Sequence, residues 1–95
     1  MIGITTLWEE TMRICEIWGI TPERIREYLL EEEKLYMTEP DRYTDGSVMI
    51  SLNILPPRVL GAFAFPQTQV MFEGGDKETE KLHHRFVMRF ISAGG

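Results

Sequence analysis

The residues of this sequence that could bind a metal or move a proton are few, and the adjacent pair His83 and His84 comes first. Two ligands of one ion must point to the same side. Neighbours on a strand point to opposite faces, and neighbours on a helix lie about 100° apart. We therefore predict no metal site and no cofactor, with one histidine at the surface and the other hydrogen-bonded.

Cys15 is the only cysteine, so it cannot form a disulfide within the chain, which is consistent with a reducing compartment. A cysteine nucleophile needs a neighbouring base and a stabilised thiolate. Cys15 instead stands among Ile14, Ile17 and Trp18. This setting predicts a small core residue rather than a reactive thiol.

Acidic residues cluster in two segments that could form loops. One holds Glu39, Asp41 and Asp45, and the other holds Glu73, Asp76, Glu78 and Glu80. Neither has the alternating spacing of a calcium loop, and the sequence contains no phosphate-binding glycine pattern, nucleophile elbow or zinc-protease motif. We predict no catalytic residues and no enzyme. The alternative, a small enzyme without a recognisable motif, would need a concave site at Asp41, Asp45 or His84.

Charge is distributed unevenly along the chain, whose net charge is −5. Residues 1–45 carry eleven acids and five bases, whereas residues 46–95 carry four acids and five bases. Duplex DNA and anionic membranes attract clustered bases, so nucleic acid is an unlikely partner and no membrane partner is expected. No apolar run is long enough to span a bilayer, and no secretory signal is visible. We expect a cytoplasmic protein, or one inside a host cell if its source is a virus.

The first 36 residues read as two helices. Thr6 and Glu9 fit a capping box, and apolar residues at three- and four-residue spacing predict a helix from about Leu7 to Trp18. Thr21 and Pro22 then fit a cap and a first-turn proline, which predicts a second helix from Pro22 to Tyr36.

The rest of the chain reads as strands. A short strand is predicted at 42–44 and a longer one at Val48–Leu55, ended by two prolines. Residues 59–73 form either a hairpin turning at Pro66 or a strand interrupted there, and Gly74 and Gly75 form a turn. Residues 82–91 fit both a strand and a helix, and the sequence Phe-Val-Met-Arg-Phe-Ile favours the strand.

These elements predict an α+β fold in which an N-terminal helical pair packs on a three- to four-stranded antiparallel sheet. The 95 residues form a single domain, with the helical pair at 1–36 and the sheet at 46–92. The predicted core consists of Trp8, Trp18, Ile25, Leu29, Ile50, Leu52, Phe63, Val70, Phe86 and Phe90.

The stretch from Gly46 to Phe72 is nearly free of charge, because Arg58 is the only formal charge in its 27 residues. Two helices cover one face of a sheet, and the other face ordinarily carries charges. Here it carries uncharged candidates for an interface: Met49, Ser51, Asn53, Gln67, Gln69 and Met71. The main hypothesis is a non-enzymatic interaction or assembly module that self-associates or docks a protein partner through this sheet, and a viral or mobile-element factor would fit.

The C-terminal residues 77–95, a predicted strand running into Gly94 and Gly95, resemble the tail of ubiquitin-like modifiers and sulfur carriers. In those proteins, paired glycines let a bare carboxylate enter an activating enzyme. The resemblance covers about a fifth of the chain. It implies a modifier or sulfur carrier as the alternative function, although the β-grasp fold of that family begins with a hairpin and this chain is predicted to begin with helices. A chain end that merely tolerates glycine also fits.

Overall fold

The protein is mostly a sheet with helices on one face. The computed structural model describes residues 11–94, with side chains as far as Ile91. In chain order the elements are β1 (Thr11–Trp18), α1 (Pro22–Glu27), a π-helical turn (Tyr28–Glu32), β2 (Tyr36–Glu39), β3 (Arg42–Thr44), β4 (Val48–Leu60), β5 (Phe63–Gly75) and α2 (Asp76–Gly94). The five strands pair antiparallel in the order β1-β5-β4-β3-β2. The predicted N-terminal helical pair on a three- to four-stranded sheet is therefore wrong, as are its boundaries at 1–36 and 46–92.

The predicted first helix is wrong over residues 11–18, which form strand β1. Its residues alternate between exposed and half-buried, the period of a strand with one face on a core. It pairs along β5, from Thr11 opposite Gly75 to Trp18 opposite Thr68. Pairing with a sheet edge can override a weak helical pattern. The ladder provides partners for the backbone N–H and C=O groups, and it packs the partly buried Ile14 against the core. The capping box at Thr6 and Glu9 lies outside the described residues.

The predicted second helix begins where expected. The Thr21 hydroxyl accepts a hydrogen bond from the Arg24 N–H at 3.4 Å, and Pro22 occupies the first turn. The helix is shorter than predicted, because α1 gives way to the π-helical turn, after which the Glu33 N–H donates to the Tyr28 carbonyl at 3.1 Å. Lys34 then takes a positive φ of 60°, and the chain turns into β2.

Strands β4 and β5 form one long hairpin. The predicted short strand at 42–44 is confirmed, but β4 continues past Pro56 and Pro57, with a register irregularity between Leu55 and Arg58. The turn is at Gly61 and Ala62, and not at Pro66. Gly61 has a φ of 64°, which glycine adopts readily in a two-residue hairpin turn.

Residues 76–94 form helix α2, so the strand favoured for residues 82–91 is wrong. The predicted turn at Gly74 and Gly75 is also wrong, because both glycines belong to β5. Side chains at three- and four-residue spacing are fully or almost fully buried on one face of α2: Thr79, Leu82, Phe86 and Phe90. Asp76 and Glu78 stand in its first turn, where negative charge is favourable.

The core lies between α1, α2 and one face of the sheet, called here the inner face. Seven residues of the predicted core are buried and so confirmed: Ile25, Leu29, Ile50, Leu52, Val70, Phe86 and Phe90. Trp18 packs against them while partly buried. Phe63 is wrong, since its side chain is 67% exposed, and Trp8 lies outside the described residues.

Candidate functional site

The face of the sheet away from α1 and α2, called here the outer face, brings all six predicted interface residues together. Cross-strand pairing joins Ser51 to Met71 and Asn53 to Gln69, and Met49 and Gln67 follow at alternate positions of β4 and β5. The amide of Asn53 donates to Gln69 Oε1 at 3.3 Å. Whether this face binds a protein stays a prediction.

The outer face continues along the hairpin beyond these six residues. Phe63 and Phe65 alternate with Gln67 along β5, and their rings stack with centroids 6.4 Å apart. Leu60 pairs with Phe63, and Arg58 pairs with Phe65. The sequence pattern does not predict this extension, because two prolines after Leu55 predict the end of a strand.

Residues 54–66, called here the arm, project beyond the neighbouring strands. Strand β1 reaches only to Thr68 of β5, and β3 pairs with β4 only as far as Ser51. The arm is therefore two strands wide, and the described molecule is 61 Å long but only 27 Å across. Large apolar side chains of the arm are 45–67% exposed, namely Ile54, Val59, Leu60, Phe63 and Phe65.

Charge enters the outer face only at its margins, apart from Arg58 on the arm. Arg13 of β1 and Glu73 of β5 form an ion pair at 2.8 Å near one end, and Arg42 stands on β3 beside Ser51. Ile17 adds an exposed apolar side chain opposite Gln69. Cys15, opposite Met71, is exposed on the same face, so the prediction that it belongs to the core is wrong.

A cluster of titratable groups on the helical side of the molecule centres on Glu33. Glu33 accepts from the guanidinium of Arg85 at 2.9 Å and from the hydroxyl of Tyr28. Burial by itself raises the pKa of Glu33, but the hydrogen bonds from Arg85 and Tyr28 outweigh it, and the pKa is lowered overall. Burial, followed by the hydrogen bond to Glu33, raises the pKa of Tyr28. These shifts favour a charged carboxylate that acts as a structural acceptor.

An open groove beside this cluster is lined by Tyr28, Glu32, Glu33, His84, Arg85, Met88 and Arg89. Its charges are compensated, since Arg85 pairs with Glu33 and Arg89 with Glu32. Of the three residues named for an enzyme site, only His84 lines this groove. The Asp41 carboxylate accepts from Arg26 at 2.9 Å, and the Asp45 carboxylate accepts from the Ser47 N–H at 2.7 Å. The structure thus does not bring the three together.

The two histidines differ as predicted. His83 lies 3.0 Å from a carboxylate oxygen of Glu16, and its ring meets the edge of Phe72. His84 is exposed. Among residues 11–94, no three His, Cys, Asp or Glu side chains gather as they would around a metal ion.

Helix α2 continues to the first of the two C-terminal glycines. Phe90 is the last residue of α2 with a described buried side chain, and Ile91 after it is 59% exposed. Gly94 is the last described residue of the helix, so the strand predicted to run into the paired glycines is wrong.

One protein family matches the sequence from β1 onward. A family model for archaeal MoaD-like proteins matches residues 13–95, which include all but the first two residues of β1 and every later described element. The chain belongs to this family. No curated protein matches the chain.

The archaeal MoaD-like match reaches Gly95, so it includes the residues that resemble a modifier or sulfur-carrier tail. It gives no support to a viral or mobile-element source. In the described part of the chain a single strand, and not a hairpin, precedes α1. No helix there is long and apolar enough to cross a membrane.

Proposed function

We propose that this archaeal MoaD-like protein is a non-enzymatic carrier whose Gly95 carboxylate is activated by an E1-like enzyme. The observation that carries the proposal is a family match that continues through the paired glycines to Gly95. In the activation step the carboxylate attacks the α-phosphate of ATP, forming an acyl-adenylate and releasing pyrophosphate. A sulfur or amine nucleophile then displaces AMP.

Glycine suits such a tail for a steric reason. Without a Cβ it passes through a channel that would exclude other residues, and it disfavours continuation of a helix by about 1 kcal/mol relative to alanine. Phe90 anchors α2 in the core, and the residues beyond it can unwind without removing a described core contact. Extended at about 3.3 Å per residue, residues 91–95 would reach roughly 17 Å.

The proposal is tested with an E1-like enzyme from the source organism, ATP and the purified chain. Intact mass first establishes that the mature protein ends at Gly95 with a free carboxylate. We expect ATP–pyrophosphate exchange that depends on this chain and, with a sulfur donor, a mass gain equal to the replacement of one oxygen by sulfur.

Two variants locate the chemistry. Deletion of Gly94 and Gly95 should abolish the exchange while leaving the circular dichroism spectrum unchanged, because neither glycine contributes a side chain to the core. Lys77→Ala, at an exposed position of the first turn of α2, is the matched control and should behave as wild type. Exchange that survives the deletion, or a free Gly95 carboxylate that is never activated, would refute the carrier function.

The main hypothesis from the sequence, a docking module that works through the sheet, is not tested by the family match. It is compatible with a carrier, since the outer face lies on the side of the sheet opposite α2. We retain it as a second proposal because of one observation, the uncharged part of the outer face from Ser51 and Met71 to Leu55 and Gln67.

A further inference from the structure

The outer face and its arm expose large apolar side chains that neighbour one another. Phe63 is 67% exposed and Phe65 is 45% exposed, on a two-stranded arm with no helix against it in the described residues. Contiguous exposed apolar patches of more than a few hundred Å² usually mark an interface. The arm therefore calls for a covering surface, whatever the chemistry of Gly95.

The size of the surface fits a stable dimer. Strand β5 has 13 residues, which at about 3.3 Å each makes it roughly 43 Å long. With β4 beside it throughout and the eight residues of β1 beside part of it, at about 4.8 Å between strands, the flat footprint is on the order of 500 Å². Stable interfaces bury about 800 Å² of accessible surface on each partner, which a corrugated footprint of this size can supply.

The charge pattern favours a second copy of this chain over a different protein. A twofold interface brings the same patch of each copy together, so a charge near the axis would meet its like. The central part of the outer face, from Ser51 and Met71 to Leu55 and Gln67, carries no formal charge. A chain of net charge −5 can meet itself there without repulsion, whereas docking a basic partner would call for acids on this face.

The arm also offers complementary shapes. A hollow of about 360 Å³ runs along it and is lined by apolar side chains that include Ile17, Leu60 and Phe65, and by Arg58. The tip carries Phe63, an aromatic side chain of the kind that anchors interfaces. Prolines 56, 57 and 66 lack the amide hydrogen needed for edge pairing, so the side chains of the face are left to make the contact.

We propose that two copies of this chain pack their outer faces together around a twofold axis, with the tip of each arm over the base of the other. The interface consists of Met49, Ser51, Asn53, Gln67, Gln69 and Met71 together with Leu60, Phe63 and Phe65. This proposal does not depend on activation of Gly95.

Sedimentation velocity and light scattering from micromolar to hundreds of micromolar test the proposal. Wild type should be a dimer that dissociates on dilution. Phe63→Asp places a charge on the outer face and should raise the dissociation constant by at least about thirty-fold, the effect of losing an interface hot spot. Gln69→Glu, in the middle of the face, should weaken the dimer in the same direction with little structural change.

Val59→Asp is the matched control. Val59 is 66% exposed on the same arm, but it pairs with Ala64 and so lies on the opposite face from Phe63. It should leave the dimer intact, and all variants should keep the wild-type circular dichroism spectrum. A wild-type protein that stays monomeric at every concentration would overturn the proposal. So would a dimer that neither Phe63→Asp nor Gln69→Glu weakens, or a dimer that Val59→Asp weakens as much as Phe63→Asp does. Binding of a different protein by a chain that stays monomeric would instead support a heterologous partner.

Discussion

Replacing Phe86 with alanine should destabilise the fold far more than the same replacement at Phe63. Phe86 is fully buried, and its ring lies 5.2 Å from Trp18, 5.2 Å from Phe72 and 4.8 Å from Phe90, measured between centroids. Phe63 is 67% exposed at the tip of the arm. The two substitutions remove the same atoms from opposite environments.

The expected magnitudes follow from burial. Loss of a buried phenylalanine ring costs about 3–5 kcal/mol, because the transfer energy is lost and a cavity remains. The unfolding free energy of a small domain is about 5–15 kcal/mol, so the Phe86→Ala variant should be either marginally stable or unfolded. A loss of 3 kcal/mol would lower the melting temperature by about 12 °C or more in a domain of this size. Phe63→Ala should change the unfolding free energy of the monomer by less than about 0.5 kcal/mol.

Urea denaturation followed by circular dichroism measures both variants. The experiment is run at the lowest workable protein concentration, so that any dimer has dissociated and only the folding of the monomer is compared. If both variants lost the same unfolding free energy, the position of Phe86 between α2 and the sheet would be refuted. They would also reopen the strand reading of residues 82–91.

Two further predictions concern the fold. Glu33→Gln should lower the unfolding free energy by about 1 kcal/mol near neutral pH, a modest loss because Arg85 is half exposed. The difference from wild type should vanish as the pH falls through the lowered native pKa of Glu33, because wild-type Glu33 is then protonated as well. A loss of unfolding free energy that does not depend on pH would contradict the pairing. Gly74→Ala should cost at least about 3 kcal/mol, because the new Cβ would lie 2.3 Å from the Ser47 carbonyl oxygen. Gly46→Ala is the control, because its Cβ would meet open space. It should lower the unfolding free energy by only about 1–2 kcal/mol, the effect of its positive φ. Thermal melts in which Gly46→Ala is the less stable variant would refute the close approach at Gly74.

The candidate site was partly predictable. Alternation along Val48–Leu55 correctly separated the buried Ile50 and Leu52 from Met49, Ser51 and Asn53, because a strand's period of two survives in the final sheet. The extension to Phe63 was not predictable in the same way. Proline ends most strands, yet it is tolerated on an arm whose edges face solvent, and no local pattern shows which edges those are.

By itself the sequence determined the stretch from Gly46 to Phe72 with its single charge, the start of α1 at Thr21 and Pro22, and the strand from Val48. It also determined the buried character of Phe86 and Phe90. These follow from side-chain chemistry and local hydrogen bonds. Only the tertiary structure decided that residues 11–18 form a strand, since they gain a ladder by pairing with β5, and that residues 82–91 form a helix. In α2 a period of 3.6 residues places Leu82, Phe86 and Phe90 on one buried face. His84 and Met88 are left exposed to solvent. The inner face of the sheet provides the surface on which the helix packs.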